Sequence, residues 1–267
     1  MPRISQLNKL PDEEKRNLYR LLVPPTVCKR FDIDPKMLQN PNSGCVFIDL
    51  VCPADSMEAS LDIKHEENKD SIFYIELSDS NDYTQLQWDF INVNDPECVK
   101  YATDVDAKGK SRWLNWHSRN LPEELRAMEI GLAPGQTRCG MRLMKEINQC
   151  LDDFCRAVGL KSILLEALFY HTAIQFERHG YRYFRGIKMM RRINELFQPG
   201  RAFHQKLDGS DFRKPEFANS IRGRSWAIHD GVIEEVDDHI ADMWEPPVMY
   251  RMVGERHEMN TFPEGVF

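Results

Sequence analysis

A chain of 267 residues, 42% hydrophobic and 29% charged, has the size and balance of one large soluble domain or a domain with an appended subdomain. Its formal net charge of −7 excludes a broad nucleic-acid surface, which needs a basic balance. No apolar run approaches the roughly 20 residues that cross a bilayer, and the opening residues lack the apolar core of a secretory signal. A cytoplasmic protein without membrane attachment is therefore expected. The seven cysteines are odd in number and form no C-x-x-C pair, so they read as reduced thiols.

In chain order, a first helix is expected from Pro11 to Leu22, with Asp12, Glu13 and Glu14 at its positive end and Pro24-Pro25 as its stop. A short helix is expected at Val27–Phe31 or Pro35–Leu38. From Gly44 to Val93 the pattern turns to strands, at Cys45–Val51, Ala59–Ile63, Ser71–Leu77 and Gln85–Val93. The short polar breaks between them suggest an antiparallel meander. Residues 94–122 are irregular and polar; Trp113, Trp116 and His117 mark them as an ordered cover, a candidate wall of an acceptor pocket.

The densest pattern lies between residues 127 and 187. Met128, Ile130 and Leu132 alternate with small residues over Ala127–Ala133, which predicts a strand with one small-residue face. After a turn at Pro134-Gly135, the loop Gln136-Thr-Arg-Cys-Gly-Met141 leads into a long helix. That helix has Leu143, Ile147, Leu151, Phe154 and Val158 as its stripe and Gly159 as its stop. A buried strand at Ser162–Leu168, a helix at His171–His179 and a strand at Tyr181–Arg185 complete the unit. A loop that feeds a helix N-terminus suits a phosphate, because the free N–H groups and the helix dipole both favour an anion. Gly135 and Gly140 would let the backbone approach, while Arg138 and Arg142 add charge.

This order of elements resembles the GNAT superfamily of acyl-CoA-dependent N-acyltransferases. The family loop, Arg/Gln-x-x-Gly-x-Gly/Ala, lies between strand four and the next helix, and a helix written Ala-x-x-x-Tyr-x-x-x-Gly-Phe comes later. The matching stretches here are Glu129–Leu143 and Thr172–Tyr181. The resemblance implies an α+β fold: a mixed, mostly antiparallel central sheet flanked by helices, over residues 1–200, with 201–267 as a C-terminal extension. It implies acetyl-CoA or another acyl-CoA as co-substrate. It gives contacts to strand residues Ile130 and Leu132 and to loop residues Gln136, Thr137, Arg138, Cys139, Gly140, Met141 and Arg142. Glu129, on the expected fourth strand, is the candidate base. The tyrosine that protonates the leaving thiolate in many members falls on Phe176, so Tyr170 is the candidate substitute. The acceptor would be a small-molecule or peptide amine, and a homodimer is compatible with this reading.

Two other readings stay open: a catalytically degenerate domain that binds CoA or another ligand as a sensor or scaffold, and an enzyme whose donor is an acylated carrier protein. His229-Asp230 and Asp237-Asp-His239 match no tight metal-ligand spacing, so no metal is expected. Neither a nucleophile elbow nor a Walker or dinucleotide loop is present.

Overall fold

The computed structural model describes residues 3–38, 47–64, 69–82, 84–106, 108–110, 119–236 and 245–267. Three short helices come first: α1 (Ile4–Leu7), α2 (Asp12–Tyr19), continued by a 3-10 turn to Leu22, and α3 (Pro25–Arg30). Four strands follow: β1 (Phe47–Val51), β2 (Glu58–Lys64), β3 (Ser71–Asp79) and β4 (Leu86–Val93). Then come α4 (Leu121–Glu129), α5 (Met144–Val158), β5 (Ser162–Glu166), α6 (Tyr170–Arg178), β6 (Arg182–Arg185) and α7 (Ile187–Leu196). The last elements are α8 (Ala202–Gln205), α9 (Ile221–His229) and β7 (Val248–Met252). The strands form one seven-stranded sheet in the order β1-β2-β3-β4-β5-β7-β6. The pairs β1–β2, β2–β3 and β3–β4 are antiparallel, and β4–β5 is parallel. The expected α+β fold, a mostly antiparallel sheet with flanking helices, is what the chain adopts.

Contacts divide the chain into two units, each made of three stretches. The first holds Met1–Glu97, Gly140–Glu166 and Tyr250–His257; the second holds Cys98–Cys139, Ala167–Met249 and Glu258–Phe267.

In the first unit, alternation along the strands sends Leu61, Ile63, Phe73, Ile75, Leu77 and Trp88 into a core. The α5 stripe of Ile147, Leu151 and Phe154 is buried with them, and Phe154 stacks on Tyr19 at 5.6 Å. Polar groups pin the N-terminal helices. Asp79 accepts from the backbone N–H of Ile4 at 2.6 Å, and Asn8 donates to the Ser56 and Glu58 carbonyls while accepting from the Tyr19 hydroxyl. On β7, Arg251 is buried against Asp152 of α5 at 2.8 Å.

The second unit is organised around buried polar anchors. Trp226 donates from its indole to the Leu132 carbonyl at 2.9 Å. Arg224 is buried with its guanidinium 3.4 Å from the Phe262 ring centroid, and it donates to the Ala218 carbonyl and to Asn194 Oδ1 at 2.7 Å each. Glu177, also buried, accepts from the backbone N–H and the hydroxyl of Thr261 and so ties the C-terminal segment to α6. Glu124 accepts from Arg119, whose guanidinium also reaches Asp230 at 2.7 Å. Although burial opposes it, bonds from His229 and Arg119 hold the Glu124 carboxyl down to about 2.

One expected strand, Ala127–Ala133, is not formed. Ala127–Glu129 ends α4, and Gly131 and Leu132 close a turn onto the Met128 and Ala127 carbonyls at 2.9 Å each. Pro122 fixes the first turn, and Glu123 and Glu124 complement its positive end, which outweighs a short alternating pattern. Ser225–His229 lies in α9, capped by Ser220, whose hydroxyl accepts from Gly223 N–H at 3.0 Å. Trp113, Trp116, His117 and Asp237-Asp-His239 lie outside the described residues.

Candidate functional site

The most chemically suggestive region of the first unit is the junction of β4 and β5. Their parallel ladder covers three pairs only: Leu86 with Ile163, Gln87 with Leu164 and Trp88 with Leu165. β5 ends one residue later at Glu166, whereas β4 continues to Val93. Over that stretch β4 keeps its pairing to β3 on one side, from Phe90–Glu76 to Val93–Phe73; among the described residues its ladder to β5 does not continue, and the Phe90 carbonyl accepts from the Trp88 indole at 3.2 Å. A strand edge opened inside a sheet offers backbone groups that an amide-bearing ligand can complete.

Asp89 sits where the two strands part. Phe90 pairs with Glu76 and Trp88 with Leu77, so Asp89 is the extra residue of a bulge on β4. Bulges bend a strand and re-aim the extra side chain, and they recur beside active sites. The Asp89 carboxyl is raised above the ordinary aspartate value. Loss of hydration is the main cause, a bond from Ser78 works against it, and repulsion from Glu76, Glu58 and Glu166 adds to it. A carboxyl shifted upward accepts a proton more readily than an unperturbed one, and the Asp89 side chain is exposed, where a substrate amine can reach it. The non-core face of the neighbouring strands is polar, with Ser60, Asp62, Tyr74 and Glu76 all half-buried, and the Tyr74 hydroxyl donates to Glu76 at 3.1 Å.

The far end of β4 meets the loop that enters α5. A Cβ built on Gly140 would lie 3.1 Å from the Val93 carbonyl oxygen, so the loop backbone approaches the strand end closely. Arg142 is exposed and adopts φ 58°, the left-handed region that costs a residue with a side chain roughly 1–2 kcal/mol. Leu143 precedes α5 without a side-chain cap, and exposed Lys145 lies in the first turn. The N–H groups of that turn form the positive end of a 15-residue helix.

The residues expected to hold the co-substrate divide between the units. Gly140, Met141 and Arg142 belong to the first, beside β4 and α5, whereas Ile130, Leu132 and Gln136–Cys139 belong to the second. Within the second unit most of the latter have local structural work. Gln136 accepts from Ala133 N–H at 2.8 Å, and the Thr137 carbonyl accepts from Tyr101 N–H at 2.8 Å. Arg138 donates to the Cys98 carbonyl at 2.8 Å, and Cys139 packs on Tyr101, Ala127 and Leu132. Ile130 is exposed just past α4, and Leu132 is buried. Gly135 does not lie open to a phosphate: at φ 82° a Cβ there would fall 2.7 Å from the Phe169 ring.

The strand that motivated Glu129 is absent; this residue ends α4 and is exposed. Tyr170 is buried at the start of α6, 3.5 Å from Arg224, and loss of hydration pushes its hydroxyl up to about 12. His171 makes a satisfied polar contact, Nδ1 to Ser225 Oγ at 2.9 Å. Burial, with the Arg222 and His229 charges, pushes it down to about 3, so its ring is neutral. Asp89 was missed because β4 was assigned to the strand meander and 127–133 to the strand before the ligand loop. The signal that could have found it is the bulge-compatible Gln85–Val93 run with a carboxylate at its centre.

Among the described residues no group of three His, Cys, Asp or Glu is placed to hold a metal ion, and no helix is long and apolar enough to cross a membrane. Comparisons of the chain with protein-family models, curated proteins and solved structures returned no match.

Proposed function

We propose that the protein transfers an acyl group from coenzyme A to an amine, with the parting of β4 and β5 as the seat of the thioester. The carrying observation is that parallel pair, joined over three residues and then open, with the uncapped start of α5 following at the end of β4. The likeness to the GNAT superfamily placed its strand before the loop at Ala127–Ala133, which is not a strand; the reading proposed here puts β4 in that place, with α4 and its flanking loops between β4 and α5.

In this reading the pantetheine amides complete the open edge of β4, and the pyrophosphate lies against the first turn of α5 with Arg142 and Lys145. The amine attacks the thioester carbonyl, and Asp89 accepts the amine proton directly or through water. Backbone N–H groups of the open edge stabilise the oxyanion. The thiolate then leaves with the carbonyl bond restored and takes a proton from water, since Phe176 cannot supply one and Tyr170 is buried.

Isothermal titration with acetyl-CoA and with CoA tests the reading: saturable binding is expected, and none at millimolar ligand would overturn it. The ligand-sensing alternative is favoured by the buried Tyr170 and by Phe176. It predicts binding without CoA release across a panel of amines. A sharper expectation concerns Arg142→Gly. Relief of the left-handed backbone should stabilise the fold by about 1 kcal/mol. Loss of a charged phosphate contact should at the same time weaken CoA binding about 10- to 100-fold. Unchanged affinity alongside a raised melting temperature would remove Arg142 from the phosphate site.

A further inference from the structure

The second unit carries a charge pattern that acyl transfer leaves unused. Between Arg182 and Arg192 the chain holds five cations, Arg182, Arg185, Lys188, Arg191 and Arg192, and no acid. All five side chains are exposed, in a chain whose formal net charge is −7. The first two lie on β6, the last strand in the sheet order and so an edge. The other three lie on α7 at positions i, i+3 and i+4, which share one helix face. Gly186 alone separates strand from helix, so the charges fall within a span of about 20 Å.

Phe184 stands among these charges with 78% of its surface exposed. Alternation puts it on the same side of β6 as Arg182, while Tyr183 turns inward to donate to buried Glu177. The exposed acids nearest in contact are Glu245 on Arg185 and Glu195 on Arg192, each at 3.2 Å. Such solvent-exposed pairs hold weakly and yield readily to a phosphate. Arg182, Lys188 and Arg191 make no ion pair among the described residues.

We infer that the edge of β6 and the outer face of α7 bind single-stranded nucleic acid. Four of the five cations are arginines, whose planar fork matches phosphate, and an exposed aromatic ring beside them is a platform for an unpaired base. A folded protein partner would need an apolar centre to its interface, and one phenylalanine among cations supplies none. A membrane surface would likewise call for several apolar side chains, whereas Met190, Ile193 and Leu196 of α7 are buried. The net negative charge of the chain speaks against a broad surface of this kind and leaves a local one intact.

Fluorescence anisotropy of labelled twelve-nucleotide oligouridylate and oligothymidylate, titrated with the full chain, tests the inference. Binding is expected at 50 mM salt and should fall about 20- to 130-fold by 200 mM, as three to five phosphate contacts require. Phe184→Ala should weaken binding about 5- to 150-fold with the salt slope unchanged. The triple variant Arg182→Glu, Lys188→Glu, Arg191→Glu should abolish it while leaving the melting curve in place, since all three side chains are exposed. Three results would overturn the inference: no binding at 50 mM salt, undiminished binding by the triple variant, or binding to phosphatidylserine vesicles with none to either oligonucleotide. Acetyl-CoA titration of the same triple variant keeps this result separate from the acyltransferase reading, because the substituted residues lie outside the first unit.

Discussion

Asparagine at Asp89 is expected to slow acyl transfer about 10²- to 10⁴-fold while leaving acetyl-CoA binding nearly unchanged. The amide matches the carboxylate in shape and cannot take the amine proton, so the loss should fall on kcat and not on affinity. The same substitution should raise the melting temperature modestly at neutral pH. The folded-state pKa of Asp89 is raised, because its ionised form is partly desolvated and repelled by Glu76, Glu58 and Glu166. Ionised Asp89 therefore costs the native state stability above its folded pKa. That cost fades as pH falls through the folded pKa toward the unfolded value, where the carboxyl is protonated in both states. The stability gained by Asp89→Asn should accordingly be largest near pH 7 and vanish in acid. The acid limb of the pH–rate profile should lie above the ordinary aspartate value. A variant that keeps full turnover would remove Asp89 from the reaction, whatever its effect on melting.

The second large effect is one of stability. Arg251→Ala should destabilise the fold by about 3–5 kcal/mol, read as a lowered urea midpoint. Arg251 on β7 is buried and reaches Asp152 on α5 at 2.8 Å, with the Asn148 carbonyl at 3.4 Å. Truncation leaves the buried Asp152 carboxylate with only the longer contact to Arg156 at 4.0 Å, and that penalty, more than the pair's own attraction, sets the size of the loss. The double substitution Arg251→Met with Asp152→Leu removes both charges and should recover most of the stability. If the double variant were as unstable as the single one, packing and not the orphaned charge would be the cause. Because α5 carries the turn proposed to hold the pyrophosphate, the single substitution should also weaken acetyl-CoA binding.

Much of the architecture was legible because the chain is regular where it is amphipathic. The β2 run alternates cleanly, as does β3 from Phe73 to Leu77, and the α5 stripe from Ile147 to Val158 ends at a glycine in the left-handed region. Failures came where two periods fit the same few residues. Met128, Ile130 and Leu132 alternate like a strand, yet Pro122, Glu123 and Glu124 had already started a helix that runs through Glu129. That one misassignment placed Glu129 on a strand, whereas it ends a helix. Gly140 and Arg142 stayed at the mouth of α5 because a glycine-bearing approach to a helix is a local property. Asp89 depends on a bulge and on a ladder that stops after three pairs, and both are set by long-range pairing that no window of sequence contains.

The interleaving of the two units bears on how the chain is made. Each is assembled from three separate stretches, and the stretch Tyr250–His257 that belongs to the first is synthesised after Ala167–Met249 of the second. On a ribosome, the meander and α5 would therefore emerge long before Arg251, and buried Asp152 would wait for its cation while most of the other unit appears. A premature stop anywhere between Ala167 and Met249 thus damages both units at once, and no single cut releases either as an intact fragment.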